Sequence, residues 1–323
     1  VEPQRTNLIT YSSDFSQWSS SGGMAVTLNN STSPSGDVNA TLLVTSNAND
    51  VIYTNVSSTI ASTFSVYVKW KVGSGNIDLS SDGGSSYTSL PVTEGWTRIS
   101  ISPIAIANQV ALRIPTSGSE LWVWGAQLEE GSYATSYIPT SGSTVTRVQE
   151  TYTKTGISSK INSEEGVLFL EVAALSDDST SRCITIFQNG SNFIKFIYSA
   201  SSNRVDFVAF SDGNVSCNIT KVISNTTVNT KFGLKWKVND FALWIDGTEV
   251  GTDLSGDAPL GMDKMYFTDE GGSGNKFFGK VKQLQVFKTA LTDDELTILT
   301  GTSGVDFYPS YADMASALTY TIQ

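Results

Sequence analysis

Two tryptophan-centred pairs are the residues best placed to do chemistry, and the chemistry is binding. Along the run 231–238, Leu234, Trp236 and Val238 share one strand face against Lys235 and Lys237, which puts Trp236 in a core. Trp244 alternates with Phe241, Leu243 and Ile245 and stands beside Asp246, so it belongs on the outer face of its sheet. By the same parity Trp96 shares a face with Arg98 and Ser100, while Ile99 and Ile101 point inward. An indole face beside groups that can hydrogen-bond hydroxyls is what a sugar ring requires. Trp96, Arg98, Trp244 and Asp246 are therefore the candidate glycan-binding residues. The alternative is that a loop or the neighbouring domain covers each tryptophan.

Catalytic chemistry has little to work with. The chain contains no histidine, which removes the usual general base and every Ser-His-Asp or Cys-His nucleophile. Glu164, Glu165 and Glu171 are the nearest carboxylates on a strand, and they read as a solvated turn and a strand face. No catalytic residue is assigned and no enzyme is expected. The glycine-rich run 269–275 lacks the Lys-Ser/Thr of a phosphate loop. Its Asp269, Glu270 and Asn275 offer oxygen ligands to calcium, the one cofactor considered, and a plain hairpin tip is the alternative. Cys183 and Cys217 lie on different strands of one domain. Two reduced, half-buried thiols are expected ahead of a disulfide.

The elements that must position these residues are short strands. Ser, Thr, Gly and Asn abound over 323 residues, and charged residues make up only 16%. Phe64, Val66, Val68 and Trp70 alternate with Ser65, Tyr67, Lys69 and Lys71, placing Trp70 in a core. Turn chemistry at 33–36, 82–84 and 116–118 separates such runs, and no amphipathic helix intervenes through residue 130. The stretch Pro139–Ser143 is small and polar and marks the expected linker. A second strand series follows, broken by Asn-Gly, Asp-Gly or Asn-Asp pairs at 189–190, 212–213, 239–240 and 246–247. Thr292 and Glu295 form a capping box ahead of one short helix that Gly301 ends. The fold class expected is all-β: two antiparallel sandwiches in tandem, residues 1–148 and 149–302. A short helical tail, 303–323, follows, with Tyr311, Met314, Ala315 and Leu318 on one stripe, Ser310 as N-cap and a terminal strand at Tyr320–Ile322.

A net charge of −11 repels nucleic-acid phosphates and anionic lipid headgroups, and Lys231, Lys235 and Lys237 make at most a strand-sized basic cluster. Neither nucleic acid nor membrane insertion is expected. No stretch reaches eighteen apolar residues and Val1–Arg5 lacks a signal peptide's apolar core, so the expectation is a soluble chain whose Asn-x-Ser/Thr triplets at Asn39, Asn55, Asn218 and Asn225 stay unglycosylated.

Four segments also form an ordered set: Asn7–Trp18, Phe64–Trp70, Gly95–Arg98 and Trp122–Thr140 continuing to Arg147. Together they resemble β-sandwich modules of bacteriophage virion proteins, and they cover residues 5–148. The resemblance implies a carbohydrate-binding-like jelly roll of the sort carried on tail fibres, tail tips and head fibres, and it brings no specific ligand. Lys231–Val250 resembles the paired strands of laminin-G-like, concanavalin A-like sandwiches, and Phe278–Leu296 resembles their last strand and closing helix. Some of those sandwiches are glucanases with a Glu-x-Asp-x-x-Glu strand, which is absent here. The function implied is a virion adhesion protein, made in the host cytoplasm, whose partners are other virion subunits and host cell-surface glycans. Fibres of this kind imply a homo-oligomer, commonly a trimer. Two other classes stay open: a purely structural decoration protein and a polysaccharide-degrading enzyme.

Overall fold

The computed structural model describes residues 1–58, 60–104 and 108–301, with Pro103 and Ile104 described by backbone alone. The expected tail lies outside the described residues. The chain divides into two compact units, Glu2–Gln149 and a second made of Glu150 onward together with Val1. Both are antiparallel β-sandwiches, as the alternation and turn spacing require.

The first unit runs β1 (Arg5–Asn7), β2 (Ser19–Ser21), β3 (Ala25–Thr32), β4 (Val38–Val44), β5 (Asp50–Asn55) and β6 (Ser62–Val72). It continues with β7 (Asn76–Ser80), β8 (Thr88–Pro91), β9 (Thr97–Ile104), β10 (Gln109–Ile114), β11 (Glu120–Glu130) and β12 (Val145–Arg147). One sheet has the order β2-β5-β10-β7-β8, the other β3-β4-β11-β6-β9, and β1 pairs with β12 apart from both. Phe64, Val66, Val68 and Trp70 of β6 meet Ile77, Leu79, Val110 and Leu112 of the facing sheet in one core. Full burial of such side chains contributes about 1.5–3 kcal/mol each, before the entropy of ordering them is charged against it.

The stretch Pro139–Ser143 departs from the expected linker, because it is woven into this unit. Thr140 is 9% exposed and its hydroxyl donates to Ile9 O at 2.6 Å, while its N–H donates to the Ser12 hydroxyl at 2.8 Å. Small polar residues suit a loose linker, and they equally suit a segment whose backbone is held by a neighbouring strand. The compact units meet ten residues downstream of Pro139, between Gln149 and Glu150.

The second unit contains β13 (Thr153–Thr155), β14 (Glu165–Ala174), β15 (Arg182–Asn189), β16 (Asn192–Tyr198), β17 (Arg204–Ser211) and β18 (Asn214–Val222). It closes with β19 (Thr230–Lys237), β20 (Phe241–Ile245), β21 (Thr248–Asp253), β22 (Lys264–Tyr266), β23 (Gly279–Phe287) and the helix α1 (Asp293–Thr300). A six-stranded sheet, β13-β22-β15-β16-β17-β18, faces a five-stranded one, β21-β20-β19-β14-β23. Trp236, Phe196, Phe207, Phe232 and Phe241 lie between them, fully buried. Three of the expected pairs have their first residue in the left-handed region, Asp212, Asn239 and Asp246 at φ of 49°, 56° and 45°, whereas Asn189 still pairs with Asn192 and that turn shifts to Gly190-Ser191. Cys183 and Cys217 are free and buried, and burial pushes both thiols up to about 12.

Helix α1 begins as expected: the Glu295 N–H donates to the Thr292 hydroxyl, and the Glu295 carboxylate accepts from the Thr292 N–H at 2.8 Å. It ends at Gly301, though in extended backbone (φ −61°) and not in the left-handed region expected of a terminal glycine. Among the described residues no helix is long and apolar enough to cross a membrane.

Candidate functional site

The outer face of the first unit's β3-β4-β11-β6-β9 sheet carries the richest group of partly exposed aromatic and polar side chains. The cause is parity: Leu121 and Val123 of β11 turn into the core, so Trp122 and Trp124 must turn out. Across the ladder Trp122 lies opposite Lys69 of β6, and Trp124 opposite Tyr67, which in turn pairs with Arg98 of β9. A bulge follows at Gly125, where φ is 63° and an added Cβ would stand 3.3 Å from Tyr67 and 3.4 Å from Tyr137. Glycine therefore lets the two tyrosine rings close on Trp124, with centroids 5.4 and 4.4 Å away. Trp124 is 6% exposed under this cover, whereas Trp122 and Trp96 are half-buried.

Strand β3 shapes the other side of this face. It leaves its ladder with β4 between Thr27 and Ser31, with Asn29 in the left-handed region at φ 53°. Although β3 and β9 are opposite edges of the sheet, Thr32 O accepts from the Trp96 indole N–H at 3.0 Å. Asn30 Oδ1 likewise accepts from the Trp122 indole N–H at 3.0 Å. The bulged tip of β3 thus leans over the face and fixes both indoles. Lys69 and Lys71 bring their ammonium groups to 5.2 and 5.9 Å from the centre of the Trp122 ring. Lys71 is also ion-paired with Glu120 at 2.7 Å, and Lys69 has no carboxylate partner among the described residues.

Of the residues singled out from sequence, Trp96 and Arg98 lie on this face. Arg98 is not a free hydroxyl partner. Its guanidinium donates to Thr135 O and to the Ser65 hydroxyl (2.9 Å) and packs 5.3 Å from the centre of the Tyr67 ring, so it ties β9 to the 131–137 segment.

Trp244 corrects the sequence reading. It does occupy the outer face of its sheet, but it is 5% exposed beneath Leu291 and Leu296, packed with Val167, Phe169 and Phe287. Helix α1 and the turn before it cover that face, so no platform exists there. Asp246 is exposed, and its carboxylate accepts from the Lys231 N–H at 3.0 Å to brace its own turn. The pair Trp244 and Asp246 is therefore structural.

The acidic loop behaves similarly. Asp269 accepts from the Gly274 N–H at 3.2 Å, Glu270 is ion-paired with Lys195, and Asn275 is an exposed turn residue at φ 47°. Among the described residues no three Cys, Asp or Glu side chains converge into a metal-holding group. Glu171 and Glu165 pair with Lys282 (2.7 Å) and Lys237 (3.3 Å), and Lys235 with Asp240 (2.8 Å), so two of the three lysines of the basic cluster are neutralised, while Lys231 donates to Gly301 O at 2.8 Å.

Trp122, Lys69 and Asn30 were not singled out from sequence. The signal for Trp122 was present in the alternation Leu121-Trp122-Val123-Trp124. Nothing local announces that Asn30, some ninety residues away, would meet it.

No protein-family model matches the chain, and no curated protein matches it in sequence. Solved structures of similar shape include the Ruminococcus gnavus IT-sialidase CBM40 bound to alpha2,3 sialyllactose, at 18% identity and a TM-score of 0.37, covering 43% of this chain and 84% of that one. Sheep galectin-11 in complex with glycerol is 9% identical with a TM-score of 0.31, covering 44% of this chain and all (100%) of the other. Domains LG4-5 of the mouse laminin alpha1 chain are 12% identical with a TM-score of 0.30, covering 78% and 90%. Likeness at this level does not bear on what the chain binds.

Proposed function

We propose that this chain is a glycan-binding protein without catalytic turnover, and that its first unit makes the contact through Trp122. The observation that carries the reading is the state of the two half-exposed indoles. Each N–H is already satisfied by the protein, Trp122 by Asn30 and Trp96 by Thr32, so the ring faces are what each indole offers a ligand. A pyranose stacks its C–H surface on such a ring, and its hydroxyls need donors and acceptors close by. The Asn30 amide N–H2 and the Lys69 ammonium stand next to the Trp122 ring and can supply them. A shallow site of this kind binds weakly one copy at a time, so useful adhesion comes from several copies acting together. The resemblance of the Trp122–Arg147 segment to phage virion modules supports a finer reading, a fibre or surface appendage on a virion that meets host glycans.

The test is a glycan array read with the intact protein and with Trp122→Ala. The variant is expected to lose at least tenfold in binding while its melting temperature changes little, since the side chain is half-exposed. Unchanged glycan binding by Trp122→Ala, or no glycan bound by the parent protein, rejects the reading and leaves a purely structural role. Released reducing ends on incubation with polysaccharides would reject the absence of turnover.

A further inference from the structure

The first unit has a second feature, independent of the Trp122 face, where its sandwich opens. Strand β8 is an edge of one sheet and β9 an edge of the other, so each presents a row of backbone N–H and C=O groups outside any ladder. Between them lies a cleft of about 270 Å³ lined by six hydroxyl-bearing residues together with Ile101, which is 8% exposed, and Leu79, whose side chain belongs to the core. Its volume is just below the ~300 Å³ at which pockets for larger small molecules begin, which suits a single ring.

The hydroxyls divide into two groups. Those of Ser80 and Ser86 are spent on Asp82, at 2.8 and 2.5 Å, and make a stiff wall. Those of Ser81, Thr88, Ser100 and Ser102 bond no other described residue. Ser81 lines the cleft at 8% residue exposure, and its accessible hydroxyl has no partner among the described residues. An accessible hydroxyl with no protein partner can donate to, or accept from, a ligand that enters the site. None of the lining residues carries a charge, and the Asp82 carboxylate stands behind Ser80 and Ser86.

We propose that this cleft between β8 and β9 is a second binding site, taking one ring of a neutral polyhydroxylated ligand such as a hexose unit. Hydroxyls that both donate and accept match a sugar's own, Ile101 leaves a small apolar surface for its C–H groups, and the Asp82 carboxylate disfavours an anion.

The test uses saturation-transfer NMR on the full chain with methyl glycosides of glucose, galactose, mannose and N-acetylglucosamine, and methyl glucuronide as the anionic probe. At least one neutral glycoside should bind, with Ser81→Ala and Ser100→Ala each weakening it roughly three- to tenfold, as expected for one lost hydrogen bond. Ser81→Val, which fills the cleft, should abolish it, and Thr88→Leu at the exposed rim does the same work if Ser81→Val fails to fold. Glucuronide should bind less tightly than its neutral counterpart, and Trp122→Ala should leave the cleft signal intact. No binding by any neutral glycoside, or binding that survives the cleft variants, overturns the proposal. A signal lost in Trp122→Ala but kept in Ser81→Val would overturn it too, by assigning that binding to the aromatic face.

Discussion

Asp82 shows how one exposed side chain can organise a loop. Its carboxylate accepts from the Ser86 hydroxyl (2.5 Å), the Ser86 N–H (3.0 Å) and the Ser80 hydroxyl (2.8 Å). These bonds, led by the Ser86 hydroxyl, favour the ionised form and lower its pKa from 3.8 to about 2. Because the folded value lies below the unfolded one, the loop's contribution is present above about pH 4 and is lost as pH falls through about 2. Asp82→Asn should therefore melt slightly below the parent protein at pH 7, and the two melting temperatures should converge by about pH 2. A gap that persists unchanged at that pH would mean that the bonds to Ser80 and Ser86 do not stabilise the loop through charge. The sequence run Ser80–Ser86 shows a turn, and the convergence of its hydroxyls on a cleft with β9 depends on a strand that lies some fifteen residues further on.

Among the elements, α1 decides the fate of Trp244. Period-two alternation says which side of a sheet a residue takes, and it was right for Trp244, Trp236 and Trp70 alike. It is silent on what lies above that side. Leu291 and Leu296 both press on the outer face of the five-stranded sheet, which turns an apparent platform into a second small core. Trp244→Ala should accordingly cost about 3–5 kcal/mol in denaturant unfolding, as for other buried tryptophans, and leave glycan binding by the folded fraction unchanged. A cost under about 1 kcal/mol would mean that α1 does not hold the ring in solution.

For the whole molecule, the two cores are separate: Phe64, Val66 and their neighbours in one, Phe196, Phe232, Trp236 and theirs in the other. Each is the core of a complete pair of sheets, so each unit has what independent folding requires. Fragments 2–149 and 150–323 should each give a cooperative melt, followed by circular dichroism, with the second somewhat less stable for want of Val1, whose backbone carbonyl accepts from the Gly279 N–H at 2.9 Å. Two fragments that both fail to fold would refute the modular reading. Division at 139–143 should do worse, because it strips β12 from β1 and leaves buried donors of the Ser12–Thr140 contact unpaired.

The sequence by itself determined the local order of this protein: strands from alternation, tight turns from Asp-Gly and Asn-Gly pairs, the α1 capping box from Thr292 and Glu295, and core positions such as Trp70 and Trp236. These follow from forces that act within a few residues, namely backbone sterics, side-chain alternation and caps. The tertiary structure alone decided which outward residues stay open. Trp244 went under a helix from fifty residues downstream, Arg98 was spent on Thr135 and Ser65, and Trp122 was left half-exposed between Asn30 and two lysines. Exposure is a property of what packs above a residue, and that neighbour is set by the path of the whole chain.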